Sequence, residues 1–196
     1  MADSRLADLT ALDPIAGEDL LYLVDDPAGI PVERKGTADS LRAMVGLPDI
    51  LHVREEYTSG TAGPSGSTTT WNVRVLNTEE YNTITGASLA TNQITLPAGT
   101  YRVHAHAGYH DGDRQKLALY NVTDAANEVL GTAAISNNSD LSMSHTTLFG
   151  QFTIAAEKDF ELRHYTQIAK TNGLGVAVSS GEVEVYAEVI IERKPE

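Results

Sequence analysis

The sequence contains no cysteine, and its 14 lysine and arginine residues are outnumbered by 27 aspartate and glutamate residues. The absence of cysteine excludes a disulfide framework, a thiolate metal site and a cysteine nucleophile. The charge balance leaves a net charge of −13. Because a nucleic-acid-binding protein needs a basic surface, this charge argues against nucleic acid as a partner.

No apolar run approaches the ~18 residues that a membrane-spanning helix needs, so we expect no membrane insertion. The stretch MADSRLADLT lacks the basic start and apolar segment of a secretory signal peptide. The sequence also lacks a nucleophile elbow, a zinc-binding histidine helix and a phosphate loop. In each of the adjacent acidic pairs, Glu55-Glu56 and Glu79-Glu80, the two side chains would point to opposite sides of an extended chain. They could not flank one glycosidic bond as the two carboxylates of a glycosidase do. We therefore expect neither an enzyme nor a bound cofactor.

Residues 1–48 are predicted to form a small module of two strands and one helix. The segments DLLYLV (19–24) and IPVERK (30–35) indicate strands on either side of the turn DDPAG. Thr37 is a suitable N-cap for the short helix ADSLRAMV that follows. So few residues cannot bury a deep core alone, so we expect the module to pack against a neighbouring chain or domain.

Residues 49–196 differ from this module, because short strands alternate with clusters of Gly, Asn, Asp, Ser and Pro. This pattern is typical of a β-sandwich or barrel. The Gly/Ser-rich segment 58–68 predicts a flexible loop. The predicted strands are 51–57, 70–77, 81–85, 89–96, 100–108, 115–122, 129–136, 146–154, 159–168 and 182–193, with a further candidate at 174–178.

Successive side chains of a strand point to opposite faces, so alternation predicts which of them enter the core. It places Trp71 and Val73 on one face and Arg74 on the other. It also predicts that His164 is buried and hydrogen-bonded. The side chains predicted to point inward include Tyr101, Val103, Ala105, Ala107, Leu148, Phe152, Ile154, Phe160, Leu162, Val183, Val185, Ala187, Val189 and Ile191. Those predicted to point outward include Arg102, His104, His106, Glu184, Tyr186 and Glu188.

Several segments, in this order, resemble the jelly-roll trimer heads of the complement-globular-head and tumour-necrosis-factor group, and most closely those at the tips of bacteriophage tail fibres and spikes. The most recognisable is LPAGTY, where a Pro-Ala-Gly turn places an aromatic at the start of the next strand. Residues 5–47 resemble a small module of phage tail-fibre proteins, in the pattern DLTAL…DLLYLVDD…VERKGTADSLRAMVG. The segments that carry the resemblance of the head are WNVRVLNT (71–78), NQITLPAGTYRVHAHAG (92–108), QKLALYNVTD (115–124), LFGQFTI (148–154) and VEVYAEVIIER (183–193).

The resemblance implies a mainly β protein, with a jelly-roll β-sandwich head of about ten strands preceded by a small β-β-α module. Residues 1–48 would attach to other virion proteins, and residues 49–196 would form a homotrimeric head that recognises a host-surface glycan or protein. The chain would then be a phage fibre or spike subunit, found in the virion after assembly in the bacterial cytoplasm. Two alternatives stay open: a structural decoration or adaptor protein of the virion without its own receptor, and a glycan-cleaving enzyme.

Arg102, His104 and His106 share the outward face of one strand, so they lie outside the core. Their surroundings could be solvent, a trimer interface or a ligand ring on a threefold axis. Neutral imidazoles two residues apart, repeated in three chains, could bind a metal. We favour the trimer interface, because the pair lies in the middle of a strand.

Strand direction reverses at each hairpin, so loops 108–114, 137–145 and 169–173 should lie at one end of the sandwich. Their polar side chains suit hydrogen bonding to sugar hydroxyls, and Tyr109 could stack on a sugar ring; turn residues are, however, polar for conformational reasons as well. Asp111 and Asp113 also have a spacing found in calcium loops, but the later ligands of an EF-hand are missing. The receptor-binding candidates are Tyr109, His110, Asp111, Asp113, Asn137, Asn138, Asp140, His145, Lys170 and Asn172.

Overall fold

The computed structural model describes residues 20–25, 32–37, 45–136 and 142–195. The chain divides into two compact units, and the boundary between them in the sequence lies between Leu47 and Pro48. In the first unit, β1 (Leu20–Asp25) and β2 (Val32–Thr37) pair in antiparallel fashion. These are the two strands that the sequence predicts, displaced by one or two residues. The predicted helix falls almost wholly on residues 38–44, which lie outside the described residues.

The second unit, which we call the head, is an antiparallel sandwich of eleven strands. Each of the ten predicted segments overlaps a strand, although 81–85 does so by only two residues. The segment 89–96 overlaps two strands, because Thr91 and Asn92 both adopt positive φ and form a turn. The candidate 174–178 is not a strand. The strands are β3 (Asp49–Tyr57), β4 (Thr70–Val73), β5 (Thr78–Asn82), β6 (Ser88–Ala90), β7 (Gln93–Leu96), β8 (Gly99–His110), β9 (Arg114–Asn121), β10 (Ala126–Ile135), β11 (Met143–Ile154), β12 (Lys158–Thr166) and β13 (Glu184–Arg193).

Two sheets form the layers of the head. The five-stranded sheet has the order β11-β8-β13-β3-β5, so the first and last strands of the head lie side by side at its centre. The six-stranded sheet has the order β10-β9-β12-β7-β6, with β4 also paired to β12. Among the described residues we find no helix, and hence none that is long and apolar enough to cross a membrane.

The core lies between the inner faces of these sheets and is largely the one that alternation predicts. Tyr101 is fully buried and stacks on Phe152 with ring centroids 5.5 Å apart. Its hydroxyl donates a hydrogen bond to the carbonyl of Pro97 (2.7 Å), so the LPAGTY turn is tied to the strand that follows it. The other predicted core residues that are buried are Val103, Ala105, Ala107, Leu148, Ile154, Phe160, Leu162, Ala187, Val189 and Ile191.

Alternation is wrong at the start of β13. A β-bulge between Val185 and Ala187 adds one residue to this strand, and this reverses the facing of every side chain before it. Glu184 and Tyr186 are therefore buried, although alternation predicts that they point outward. Val183 and Val185 are exposed, although it predicts that they point inward.

Arg74 lies opposite to Trp71 and Val73, as alternation predicts: β4 ends at Val73, and the guanidinium of the next residue turns into the head, where it is fully buried. Arg74 Nε donates to Glu55 Oε2 (2.6 Å). The two terminal nitrogens donate to the carbonyls of Gly108, Leu174 and Tyr186 at 3.2, 2.7 and 2.9 Å. This buried ion pair joins both sheets to the segment that precedes β13.

Candidate functional site

The predicted cluster of loops is present at the end of the head opposite to Asp49. The amide of His110 donates to the carbonyl of Gly173 (2.8 Å), and the amide of Asp111 donates to the carbonyl of Ser142 (2.9 Å). Segment 58–68, predicted to be a flexible loop, is packed into the same cluster. Its residue Gly66 is buried and exchanges backbone hydrogen bonds with Lys170.

Tyr109 holds this cluster together from within. Its ring is fully buried, and its hydroxyl donates to the carbonyl of Ile168 (3.1 Å). Gly66, Gly112 and Gly173 pack so closely against the ring that a β-carbon on any of them would overlap it. A buried ring cannot stack on a sugar, so the expected contact of Tyr109 with a glycan is wrong for this chain.

His110 and Asp111 are also buried, at 8% and 2% exposure. Asp111 accepts hydrogen bonds from Lys170 Nζ (2.7 Å) and from the amide of Ser142 (2.8 Å). The bond from Lys170 holds the pKa of Asp111 below its usual value. Both carboxylate oxygens thus already accept hydrogen bonds from within the protein. Within the described part of the chain, no three His, Cys, Asp or Glu side chains are arranged to hold a metal.

The remaining loop candidates are divided between turns and a sheet face. Asp113 and Asn172 are accessible and adopt positive φ (55° and 56°), a conformation that favours Asp, Asn and Gly in turns. The turn conformation by itself therefore favours Asp and Asn at these two positions, independently of any role in binding. His145 is exposed, but it lies in β11 rather than in a loop. Asn137, Asn138 and Asp140 lie outside the described residues.

His104 and His106 lie on the outer face of the five-stranded sheet, as alternation predicts, together with Arg102 and His145. We call this surface the histidine face. Cross-strand pairing places a row of side chains across it, from β11 to β5. That row consists of Phe149, His104, Ile190, His52 and Tyr81.

Exposed rings form the apolar part of the histidine face. Phe149 is 64% exposed and Tyr81 is 53% exposed. His104 stacks on Phe149, with centroids 4.1 Å apart and planes 18° apart. Beside them is an open pocket of about 410 Å³, whose lining includes Arg102, Gln151, Ile190 and Glu192. A large apolar ring at the edge of a pocket is typical of a surface that another protein covers.

Glu188, the carboxylate near the centre of the histidine face, is paired within the chain. Glu188 accepts hydrogen bonds from His52 Nε2 (2.6 Å) and Arg54 Nε (3.0 Å), and His106 Nε2 lies 3.7 Å from its other oxygen. Burial alone would raise the pKa of Glu188, but these hydrogen bonds outweigh it and the pKa is lowered. Burial lowers the pKa of His106, which favours the neutral imidazole. His104 therefore contacts Phe149 while His106 lies near Glu188, and the centroids of the two imidazole rings are 6.3 Å apart.

Sequence reasoning missed a second surface, the outer face of the six-stranded sheet, which we call the aromatic face. Trp71 and Tyr165 meet there edge to face, with centroids 5.6 Å apart. The guanidinium of Arg163 lies 3.4 Å from the centre of the Tyr120 ring and is paired with Glu161 (2.8 Å). In the sequence, Lys116, Tyr120, Arg163 and Tyr165 alternate with core residues, which indicates that they point outward. Alternation does not reveal, however, that β9 and β12 are neighbours in the sheet.

No protein-family model matches the sequence, and no curated protein is significantly similar to it. Solved structures are similar in fold. Eiger TNF from S. frugiperda has a TM-score of 0.51 at 10% identity, covering 74% of this chain and 92% of that one. The globular domain of zebrafish complement 1qA gives 0.48 at 11% identity, covering 74% and 96%, and murine APRIL gives 0.48 at 10%, covering 74% and 98%.

At these identities a likeness concerns the fold alone. The similarity to Eiger agrees with the two antiparallel sheets and with the pairing of the first and last strands of the head. This confirms the predicted fold class for the head. The head of this chain is a TNF-like jelly-roll sandwich.

Proposed function

We propose that this chain is a subunit of a bacteriophage tail fibre or spike, which forms a homotrimer through the histidine face and attaches to the host surface. The observation that carries the proposal is the 64% exposure of Phe149 on a face whose central carboxylate, Glu188, is already paired. Burying apolar surface stabilises an assembly by about 25 cal/mol per Å². Burying an unpaired charge would oppose this, but Glu188 is paired with Arg54 and hydrogen-bonded to His52 within its own chain.

The sequence supports the phage part of the proposal. The head segments resemble those of phage fibre tips, and residues 5–47 resemble a phage tail-fibre module. In a trimer, three identical heads would engage a surface that displays many copies of one glycan, so weak single contacts would add up through avidity. Among the receptor-binding candidates of the loop end, Asp113 and Asn172 are accessible.

The oligomeric state tests the trimer directly, by native mass spectrometry or light scattering on the full chain. We expect about 63 kDa, three times the 21.0 kDa of one chain. Phe149→Asp should yield the monomer, because it places a charge where the apolar contact forms. Val178→Asp is the matched control, since Val178 is 78% exposed on a loop and should leave the mass unchanged. A monomeric wild type, or a trimer that is indifferent to Phe149→Asp, would contradict the proposal.

Attachment is tested by the binding of the labelled full chain to a panel of bacterial strains, before and after removal of their surface polysaccharide. We expect saturable binding to at least one strain and its loss after the removal. A decoration or adaptor protein of the virion would bind none of the strains. A reducing-end assay on the extracted polysaccharide distinguishes binding, which leaves the reducing ends unchanged, from cleavage, which increases them.

A further inference from the structure

The aromatic face combines rings and cations in one row across three strands. Trp71 of β4 is paired with Tyr165 of β12, and Tyr165 is paired with Lys116 of β9. Directly paired residues of antiparallel strands point to the same side of a sheet. Two strand spacings, about 10 Å, therefore separate Trp71 from Lys116. Arg114, two residues before Lys116, points to the same side and is exposed.

The rings of this row are accessible to a ligand. Trp71 and Tyr165 are each partly exposed, and apolar neighbours on the same face, Val73 and Leu130, are exposed by 36% and 51%. Trp and Tyr present an apolar ring together with a polar group. Such side chains suit a sugar, which has an apolar face of C–H bonds surrounded by hydroxyls.

The cations of this row have no carboxylate partner within the described residues. Lys116 forms no ion pair there, and Arg114 donates only to the side-chain amide oxygen of Gln167 (3.1 Å). The cations of the neighbouring strand β12 are different, since Arg163 is paired with Glu161 and Lys158 with Asp124 (2.6 Å). In a chain of net charge −13, two cations with no carboxylate partner in the described part of the chain form a local positive site beside a ring pair.

We propose that Trp71, Tyr165, Lys116 and Arg114 form a binding site for an acidic polysaccharide. One sugar ring packs against the aromatic pair, and the carboxylate of a neighbouring sugar lies between Lys116 and Arg114. This inference rests on the proposed function, since it specifies the ligand that the attachment uses. The site is compatible with the trimer, because it lies on the outer face of the opposite sheet from the histidine face.

The chain itself offers a probe, because Trp71 is its only tryptophan. Its fluorescence in the full chain is followed during titration with oligosaccharides of galacturonic, glucuronic, mannuronic and sialic acid, each in the acid and the methyl-ester form. We expect at least one acid to change the Trp71 emission in a saturable way and its ester to bind at least tenfold more weakly. Lys116→Ala should weaken the binding of that acid at least tenfold. Lys158→Ala removes the same charge from the paired lysine of β12 and should change it less than twofold.

Three outcomes would overturn the inference: no acid changes the emission, acid and ester bind equally, or Lys116→Ala binds as the wild type does. Lys116 is a surface residue, and circular dichroism of the variant verifies that it is folded. The cell-binding assay separates this inference from the proposed function. If Lys116→Glu binds cells as tightly as the wild type, the site is wrong and attachment stands. If the wild type binds no cells, attachment itself is wrong.

Discussion

The two outer faces of the sandwich both carry exposed rings but differ in the charged groups at their centres. On the histidine face, Glu188 is satisfied by Arg54 and His52, and Phe149 protrudes beside an open pocket. On the aromatic face, Lys116 and Arg114 have no carboxylate partner among the described residues. Burying a paired carboxylate costs little, whereas unpaired cations attract anions. On this difference we base the proposals that the histidine face self-associates and that the aromatic face binds a ligand.

Both faces depend on the same core, so the strongest perturbation should affect them together. Arg74→Met leaves the Glu55 carboxylate buried without its partner, which should destabilise the head by about 3–5 kcal/mol in urea unfolding. As urea is added, the trimer and the change of Trp71 emission on addition of acidic oligosaccharide should disappear at the same urea concentration. Adding Glu55→Leu should recover part of the stability, since the unpaired charge is then gone. A loss below about 1 kcal/mol for Arg74→Met would contradict a structural role for this ion pair.

A second prediction concerns pH and the sheet that carries the aromatic face. Burial lowers the pKa of His164 well below its usual value, and the charge of Arg74 adds to the effect. Below about pH 6.5 the unfolded chain binds a proton at this residue while the folded chain does not. Stability should therefore fall as the pH decreases from 6.5 to 5, with His164 contributing about 1.4 kcal/mol per pH unit.

The measurement is a series of urea unfolding curves across this pH range. In His164→Gln, residue 164 does not titrate, so the free energy of unfolding should depend on pH less steeply than in the wild type, by about 1.4 kcal/mol per pH unit. His106, whose pKa is also lowered by burial, contributes to the dependence of stability on pH in both proteins, so part of the slope should remain in the variant. Equal slopes for the wild type and His164→Gln would show that this histidine does not govern the response.

A third prediction separates the two faces. The double variant His104→Ala/His106→Ala removes the ring that stacks on Phe149, and we expect the trimer to dissociate at about tenfold higher protein concentration. Its Trp71 emission should respond to acidic oligosaccharide as in the wild type. Metal analysis of both proteins accompanies the experiment. Metal bound by the wild type and lost in the variant would mean that these histidines are ligands.

The smallest expected effect distinguishes the paired cation of the aromatic face from the unpaired ones. Arg163→Gln removes the ion pair to Glu161 and the contact with the Tyr120 ring, which together should contribute about 0.5–1 kcal/mol to stability. Affinity for the acidic oligosaccharide should change less than twofold. A tenfold loss of affinity would mean that Arg163 is itself part of the binding site.

Alternation along single strands predicted the core of the head and the outward facing of His104 and His106, because both follow from the two-residue period of a strand. It was wrong for Tyr186, where a bulge shifts the period. It placed Arg74 opposite to Trp71 but did not indicate that the charge of Arg74 is buried. Tyr109 is buried by glycines from three separate segments, which no local pattern indicates. The row Trp71–Tyr165–Lys116 joins β4, β12 and β9, and the sequence does not state which strands are neighbours.

The central claim is that the histidine face is covered in the assembled protein while the aromatic face stays open. Hydroxyl-radical footprinting with mass spectrometry tests it, because it reports the oxidation of individual aromatic side chains. The full chain is compared at a concentration where it is assembled and after dilution to the monomer. We predict that assembly protects Phe149 and Tyr81 and leaves the oxidation of Trp71 and Tyr165 unchanged. Equal oxidation of Phe149 in both states, or protection of Trp71 by assembly, would contradict the account.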